Sequence, residues 1–298
     1  LEDTNRGRGV NLWSSLTNAE YSEAAGASVT SFNSDGFSLG TDNVSYGAVN
    51  ANGTTFVAWQ WTGNSTATPV TNTAGTITSS VNASTTAGFS VVTYTGNGVA
   101  GATVGHGLGV APSFFVVKNR TSDVNWLAYH SYIGGNGGFN FNTNQAAFTT
   151  DSGYWNSTNP SSSVITLGSY AVQNGSPFVA YCWAQVAGFS SFSSYVGNGS
   201  SSGAFIYTGF RPAYVMIKRT TTSGYSWYIF DNKRLGYNSS NNYLESNTAS
   251  TEGTITTALD LVSNGFKFRD TNGAWNENGV TYIYAAFAEN PFKYSLAR

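Results

Sequence analysis

Gly96, Gly98 and Gly101 lie in YTGNGVAGATVGHGLG (94–109) and satisfy G-x-G-x-x-G. This is the spacing with which a dinucleotide-binding turn brings its backbone close to a pyrophosphate. That chemistry needs a strand before the glycines, a helix after them and an acidic residue about 20 positions on. FSVVTYT reads as the strand, but the segment after the glycines is again rich in glycine, holds Pro112 and runs into a second strand, FFVVKN. No helix starts there. One hundred and one positions on, Gly197 and Gly199 recur, with Ser202 in the third place. The pattern is that of hairpin turns, where Asn-Gly supplies a positive φ. GSSSG (199–203) fits the nucleophile-elbow spacing G-x-S-x-G in the same accidental way, because a serine-rich turn matches without the strand-turn-helix context that the elbow requires.

The other reactive side chains are sparse. Two histidines, one cysteine and no close carboxylate cluster make no zinc ligand set of ordinary spacing. His130 reads as a polar residue at a strand end, and His106, in GHGLG, as a turn residue with a ligand or switch role as the alternative. Cys182 lies in the apolar strand FVAYCWAQV and reads as a small buried hydrophobe. Glycoside hydrolysis needs two carboxylates facing across a groove, whereas Asp151, Asp231, Asp260, Asp270, Glu245 and Glu277 are scattered. No catalytic residue, no metal site and no cofactor is therefore expected. Lys118 and Lys218 occupy one recurring position, with stems laid on apolar surface and wet heads, or else paired between units or subunits.

Two polar loops carry aromatic residues. TTDSGYWNSTNPSS (149–162) presents Tyr154, Trp155 and Asn156, and RDTNGAWNENG (269–279) presents Trp275 and Asn276. Rings stack on the apolar faces of sugars and amides bind hydroxyls, so these five residues are the glycan-binding candidates. The alternative is that each tryptophan folds back onto its own domain or into a subunit contact.

The elements that would position these residues are strands. Charged residues make up only 9 % of the chain, against about 25 % in ordinary domains, while aromatics reach 15 %. Thr, Val, Tyr, Phe and Trp suit pleated sheets, and Gly, Asn and Ser suit turns. A net charge of −2 gives no steering toward a polyanion, so nucleic acid is excluded as a partner. No apolar run approaches the ~18 residues of a membrane helix. The single cysteine excludes an internal disulfide framework.

The chain also repeats itself. AGFSVVTYTGNG (87–98), APSFFVVKNR (111–120) and NWLAYHS (125–131) recur in order as AGFSSFSSYVGNG (187–199), RPAYVMIKRT (211–220) and SWYIFDN (226–232). NGTTFVAWQW (52–61), NGSPFVAYCW (174–183) and NGVTYIYAAF (278–287) form three closing strands, and DTNRG (3–7) resembles DNKRL (231–235). The expected fold is all-β: tandem antiparallel β-sandwich modules, jelly-roll-like, of about 100 residues each. The expected division is a truncated module over 1–64, a Thr/Ser/Asn-rich connector over 65–86, and complete modules over 87–186 and 187–298, stacked stiffly end to end. TEGTITTALDLVSNG (251–265) is the best helix candidate. The truncated module lacks its opening strands, so its sheet edges are expected to need a covering segment, either upstream or from a neighbouring chain.

Together TYTGNG, VGHGLGVAPSFFVVKNR, SFNSDGFSLG, TFVAWQW, FIYTGFRPAYVMIKR and the terminal YIYAAFAENPFKYSLAR resemble modules of tail-fibre-like proteins of bacteriophages, marine ones especially. The resemblance implies a virion appendage at the virion surface, facing the extracellular medium. It implies a homo-oligomer, trimeric by preference, in contact with other virion proteins and with a host-surface glycan or receptor. It implies that the terminal NPFKYSLAR is the end of the protein and that the starting half-unit is the remainder of a longer one. It carries no catalytic residues. The alternatives are a secreted bacterial lectin or adhesin and a polysaccharide-degrading tailspike.

Overall fold

A computed structural model describes all residues except 25, 42–48, 65–67, 235–237, 239–240 and 291–298. The terminal NPFKYSLAR lies almost wholly outside the described residues. The chain is all-β and antiparallel throughout its sheets. One seven-stranded sheet has the order Phe139–Asn140, Leu127–His130, Phe114–Asn119, Pro177–Trp183, Phe89–Thr95, Ser79–Ser84, Val70–Asn72. A six-stranded sheet has the order Ser190–Val196, Thr281–Ala288, Pro212–Arg219, Tyr228–Asp231, Asn241–Glu245, Gly253–Ile255.

The repeat read in the sequence is a repeat of topology. In the first sheet the closing strand Pro177–Trp183 lies between Phe89–Thr95 and Phe114–Asn119, with Leu127–His130 beyond. In the second, Thr281–Ala288 lies between Ser190–Val196 and Pro212–Arg219, with Tyr228–Asp231 beyond. Each strand occupies the place of its sequence counterpart. A small sheet covers the outer face of each unit: Thr103–Gly105 with Val164–Thr166 in one, Phe205–Tyr207 with Gly265–Phe268 and Leu259–Val262 in the other.

The central strands are buried on both faces, and their alternation shows what covers each side. From Pro177–Trp183, Phe178, Ala180 and Cys182 enter the core beneath the small sheet of their own unit. Val179, Tyr181 and Trp183 enter a second core, shared with Tyr214, Met216, Trp227, Ile283, Ala285 and Phe287 of the other unit. Tyr282, Tyr284 and Ala286 face the outer core of that unit. The two units therefore lie face to face across a common core instead of end to end, which corrects the expected linear stacking.

Three further expectations are corrected. The stretch 65–86 is no mere connector, because Ser79–Ser84 pairs with Phe89–Tyr94 and Val70–Asn72 pairs with Ser79–Val81 in turn. Val81 is its buried anchor; the Ser, Asn and Thr around it suit a sheet margin as well as a linker. Residues 251–265 form strands, not a helix: Leu259 and Leu261 are buried at period 2 and the chain turns at Ser263–Asn264 into Gly265–Phe268. The α-helix Ser152–Trp155 is a single turn, capped by the Asp151 side chain on the Gly153 N–H. The described residues of 1–64 do not close into a separate sandwich. They form the two-stranded pairs Val10–Asn11 with Tyr21–Ser22 and Val29–Phe32 with Phe37–Leu39, and they contribute Leu12, Trp59 and Trp61 to the shared core.

Candidate functional site

The glycines that match a nucleotide-binding spacing are structural in both units. Gly96 N–H donates to Ser176 O at 2.9 Å and Gly197 N–H to Val280 O at 2.9 Å. A Cβ on Gly96 would lie 2.3 Å from Gln173 O, and one on Gly197 would lie 2.4 Å from Glu277 O. Gly98 and Gly199 hold φ of +77° and +62°, the left-handed region that side chains disfavour. The spacing thus records a backbone crossing made twice.

At the shared core all three closing segments present the same face. Trp59 and Trp61 stand at the sequence positions of Tyr181 and Trp183. The Trp61 ring meets Trp183 at 5.7 Å, Tyr214 at 5.8 Å and Phe287 at 5.2 Å, all edge-on, and Trp59 meets Tyr214 at 5.3 Å. Trp227 packs on Phe139 and Phe141 of the other unit, with centroids 5.2 and 5.1 Å apart. Edge-to-face pairs of this kind add about 0.5–1.5 kcal/mol each beyond their buried area.

The contacts among the units follow one cyclic pattern. Ala19 and Glu20 N–H donate to Asp123 Oδ1 and Arg120 O at 2.8 Å each; Ala146 and Ala147 N–H donate to Ser223 Oγ and Thr220 O at 3.0 and 2.9 Å. Asp3, His130 and Asp231 share one position in the repeat: Asp3 and His130 sit against the next closing segment, and Asp231 approaches it through Arg234. Tyr181 OH donates to Asp3 at 2.7 Å and Arg6 donates to Tyr181 OH at 3.0 Å. His130 Nε2 lies 3.2 Å from Tyr284 O, and Arg234, paired with Asp231 at 2.7 Å, lies 6.0 Å from the Trp59 ring. Asp3 caps the N–H groups of Asn5 and Arg6 as Asp231 caps those of Lys233 and Arg234, so the likeness of DTNRG to DNKRL is a likeness of geometry.

Both histidines are buried and held in one tautomer. His130 Nδ1 accepts from Tyr132 N–H and His106 Nδ1 from Leu108 N–H, each at 3.2 Å, which leaves Nε2–H to donate to Tyr284 O and to Ser161 O. Burial lowers both pKa values, that of His130 to about 4. Lys118 and Lys218 have no exposed surface, which corrects the expectation of wet heads. Lys118 Nζ donates to Asn119 O and Ser122 O at 2.8 and 2.9 Å, and Lys218 Nζ to Tyr225 O. Each pins the loop that leads into Trp126 or Trp227. Burial pushes their pKa values down to about 8 and about 7. Cys182 is buried, as its strand suggested, with its thiol pushed up to about 12 by burial. Among the described residues no group of three His, Cys, Asp or Glu is placed to hold a metal ion, and no helix is long and apolar enough to cross a membrane.

The glycan-binding candidates are placed differently from expectation. Tyr154, Trp155, Trp275 and Asn276 are buried. Trp155 packs edge-on against Phe115 at 4.6 Å, and Trp275 against Tyr228 and Phe230 at 5.2 and 5.4 Å. Asn276 Nδ2 donates to the backbone of Ser200 and Asp270. These four residues hold loops onto sheets and cannot stack a sugar. Asn156 alone is exposed, at a φ of +50°. Among the other exposed aromatics, which include Tyr170 beside Tyr154, Tyr207 at 68 % and Phe205 at 48 % point outward together from one edge strand, with Lys267 directly opposite Phe205. Their alternation with buried Ile206 was the signal available in FIY.

Residues 1–291 match a family described as a domain of unknown function, DUF7483. The chain belongs to the DUF7483 family. That match runs without division through the N-terminal segment and both complete units. No curated protein and no solved structure matches the chain.

Proposed function

We propose that this DUF7483 chain is a non-catalytic structural and adhesive module of a bacteriophage virion appendage, displayed at the virion surface and working in host attachment. The observation that carries the reading is the use made of the reactive groups. The histidines, both buried lysines and the Asp3 and Asp231 carboxylates are committed to backbone partners and to seams between units. A body whose few charges fasten repeated sheets around an aromatic core is suited to bearing load. The likeness of its repeated strings to tail-fibre-like modules points the same way.

Attachment is assigned to the outward pair Phe205 and Tyr207. Two exposed rings on one strand, with the Lys267 amine opposite and Ser202 Oγ 3.4 Å from it, supply apolar faces and hydrogen-bonding groups for a sugar. The double substitution Phe205→Ala and Tyr207→Ala is expected to weaken host-cell binding at least tenfold while leaving the melting temperature within about 2 °C, since exposed positions add little to stability. Unchanged binding would remove the attachment assignment. Antibody labelling of purified virus particles tests the location, and failure to label any particle would remove it.

A further inference from the structure

We propose that residues 54–61 are a preformed acceptor for a β-strand supplied from outside residues 1–298, with the apolar alternation and the Gly-x-Gly ending of FSVVTYTGNG (89–98). The inference does not depend on the virion reading. Three observations carry it.

The first is the turn. In the complete units, Ser176 N–H donates to Gln173 O at 3.1 Å and Val280 N–H to Glu277 O at 3.2 Å, with Gly175 and Gly279 at φ of +73° and +76°. At the equivalent place Thr54 N–H donates to Ala51 O at 3.2 Å and Gly53 holds a φ of +76°. The turn is set identically three times. In the complete units it also receives the incoming strand, since Gly175 N–H donates to Gly96 O and Gly279 N–H to Gly197 O, each at 2.9 Å. Among the described residues Gly53 N–H has no such acceptor.

The second is the backbone. Pro177–Trp183 and Thr281–Ala288 are hydrogen-bonded along both edges. The equivalent segment, 55–61, belongs to no sheet and makes no backbone hydrogen bond to another described residue. A row of free N–H and C=O groups on an extended chain is a template for strand addition. The third is the side chains. Trp59 and Trp61 are already seated in the shared core, so the strand is anchored on one face. Phe56, the equivalent of buried Phe178 and Tyr282, is 51 % exposed. The sister strands show the missing cover: Phe178 stacks on Tyr94 of the neighbouring strand at 5.1 Å, and Tyr282 on Tyr195 at 5.1 Å. The donated strand therefore carries an aromatic residue two positions before its first glycine, as Tyr94 precedes Gly96 and Tyr195 precedes Gly197.

The test uses the whole chain and a synthetic peptide of residues 87–99, with amide hydrogen exchange read by mass spectrometry. The amides of 55–61 are expected to exchange freely in the chain alone and to slow at least tenfold with saturating peptide. A peptide with Tyr94→Asp is expected to give no slowing. Ala58→Pro in the chain removes one donor from a segment that is unpaired in the free protein. It is expected to leave the melting temperature unchanged and to abolish the peptide effect. Slow exchange of 55–61 in the dilute chain without peptide would overturn the proposal, as would free exchange at saturating peptide. Slowing that follows the concentration of the chain itself would replace the donated strand by a second copy and overturn it equally.

Discussion

Acidification destabilises the fold through His130. The imidazole is buried at a seam between units, 6.2 Å from the Phe114 ring, with Nδ1 accepting from Tyr132 N–H and Nε2 against Tyr284 O. Protonation places a hydrogen on Nδ1 opposite an N–H and puts a charge where burial holds the pKa at about 4, against an ordinary 6.5. The folded state thus disfavours the proton, so the stability associated with the neutral ring is present above pH 6.5 and is lost as pH falls toward 4. With those two values the loss between pH 7 and pH 5 is about 2 kcal/mol. The assay is urea unfolding at pH 7, 6 and 5 for the native chain and for His130→Asn, whose amide oxygen can accept from Tyr132 N–H but does not titrate. His106 shifts in the same direction and is common to both proteins, so their difference isolates His130. The native chain is expected to lose about 2 kcal/mol more than the variant over that range. Parallel pH profiles would refute the reasoning.

Lys218 acts in the opposite pH range. Burial lowers it from 10.5 to about 7, so the unfolded chain binds the extra proton between those values and stability rises with pH, by about 2 kcal/mol from pH 7 to 9; Lys218→Met should flatten that rise in the same unfolding assay. Trp155→Ala removes a buried ring packed on Phe115 and Tyr129 and is expected to cost about 3–5 kcal/mol without changing host-cell binding once the protein is folded. Gly98→Ala places a side chain at a φ of +77° and should destabilise by about 1 kcal/mol or more, visible as a lowered urea midpoint.

The repeat was legible because each strand keeps its alternation and its turn residues over 100 positions, and the folded units keep the same strand order. The architectural role of Gly96, Gly98, Gly197 and Gly199 was legible too, since tight turns and close crossings admit few other residues. The way the units pack was not. Strands such as FFVVKN and PFVAYCW are apolar on both faces, which requires two covers but does not say that one of them is the sister unit. Trp155 and Trp275 misled for a related reason. Their neighbours in sequence are polar, yet a one-turn helix at 152–155 and the turn at 272–275 fold each ring back onto its own sheet, a tertiary event without a local period. Lys118 and Lys218 misled because long amines usually reach water, whereas here nearby carbonyls meet them inside.

The central claim is that two copies of one sheet meet face to face around an aromatic core sealed by the N-terminal segment. Nuclear Overhauser contacts in chain labelled at Phe and Trp rings test it most directly. Cross-peaks from the Trp227 indole to both Phe139 and Phe141, and from the Trp61 indole to Phe287 and Trp183, are the predicted result. Cross-peaks confined to pairs within one unit, such as Phe115 with Trp155, and none across the seam would contradict it.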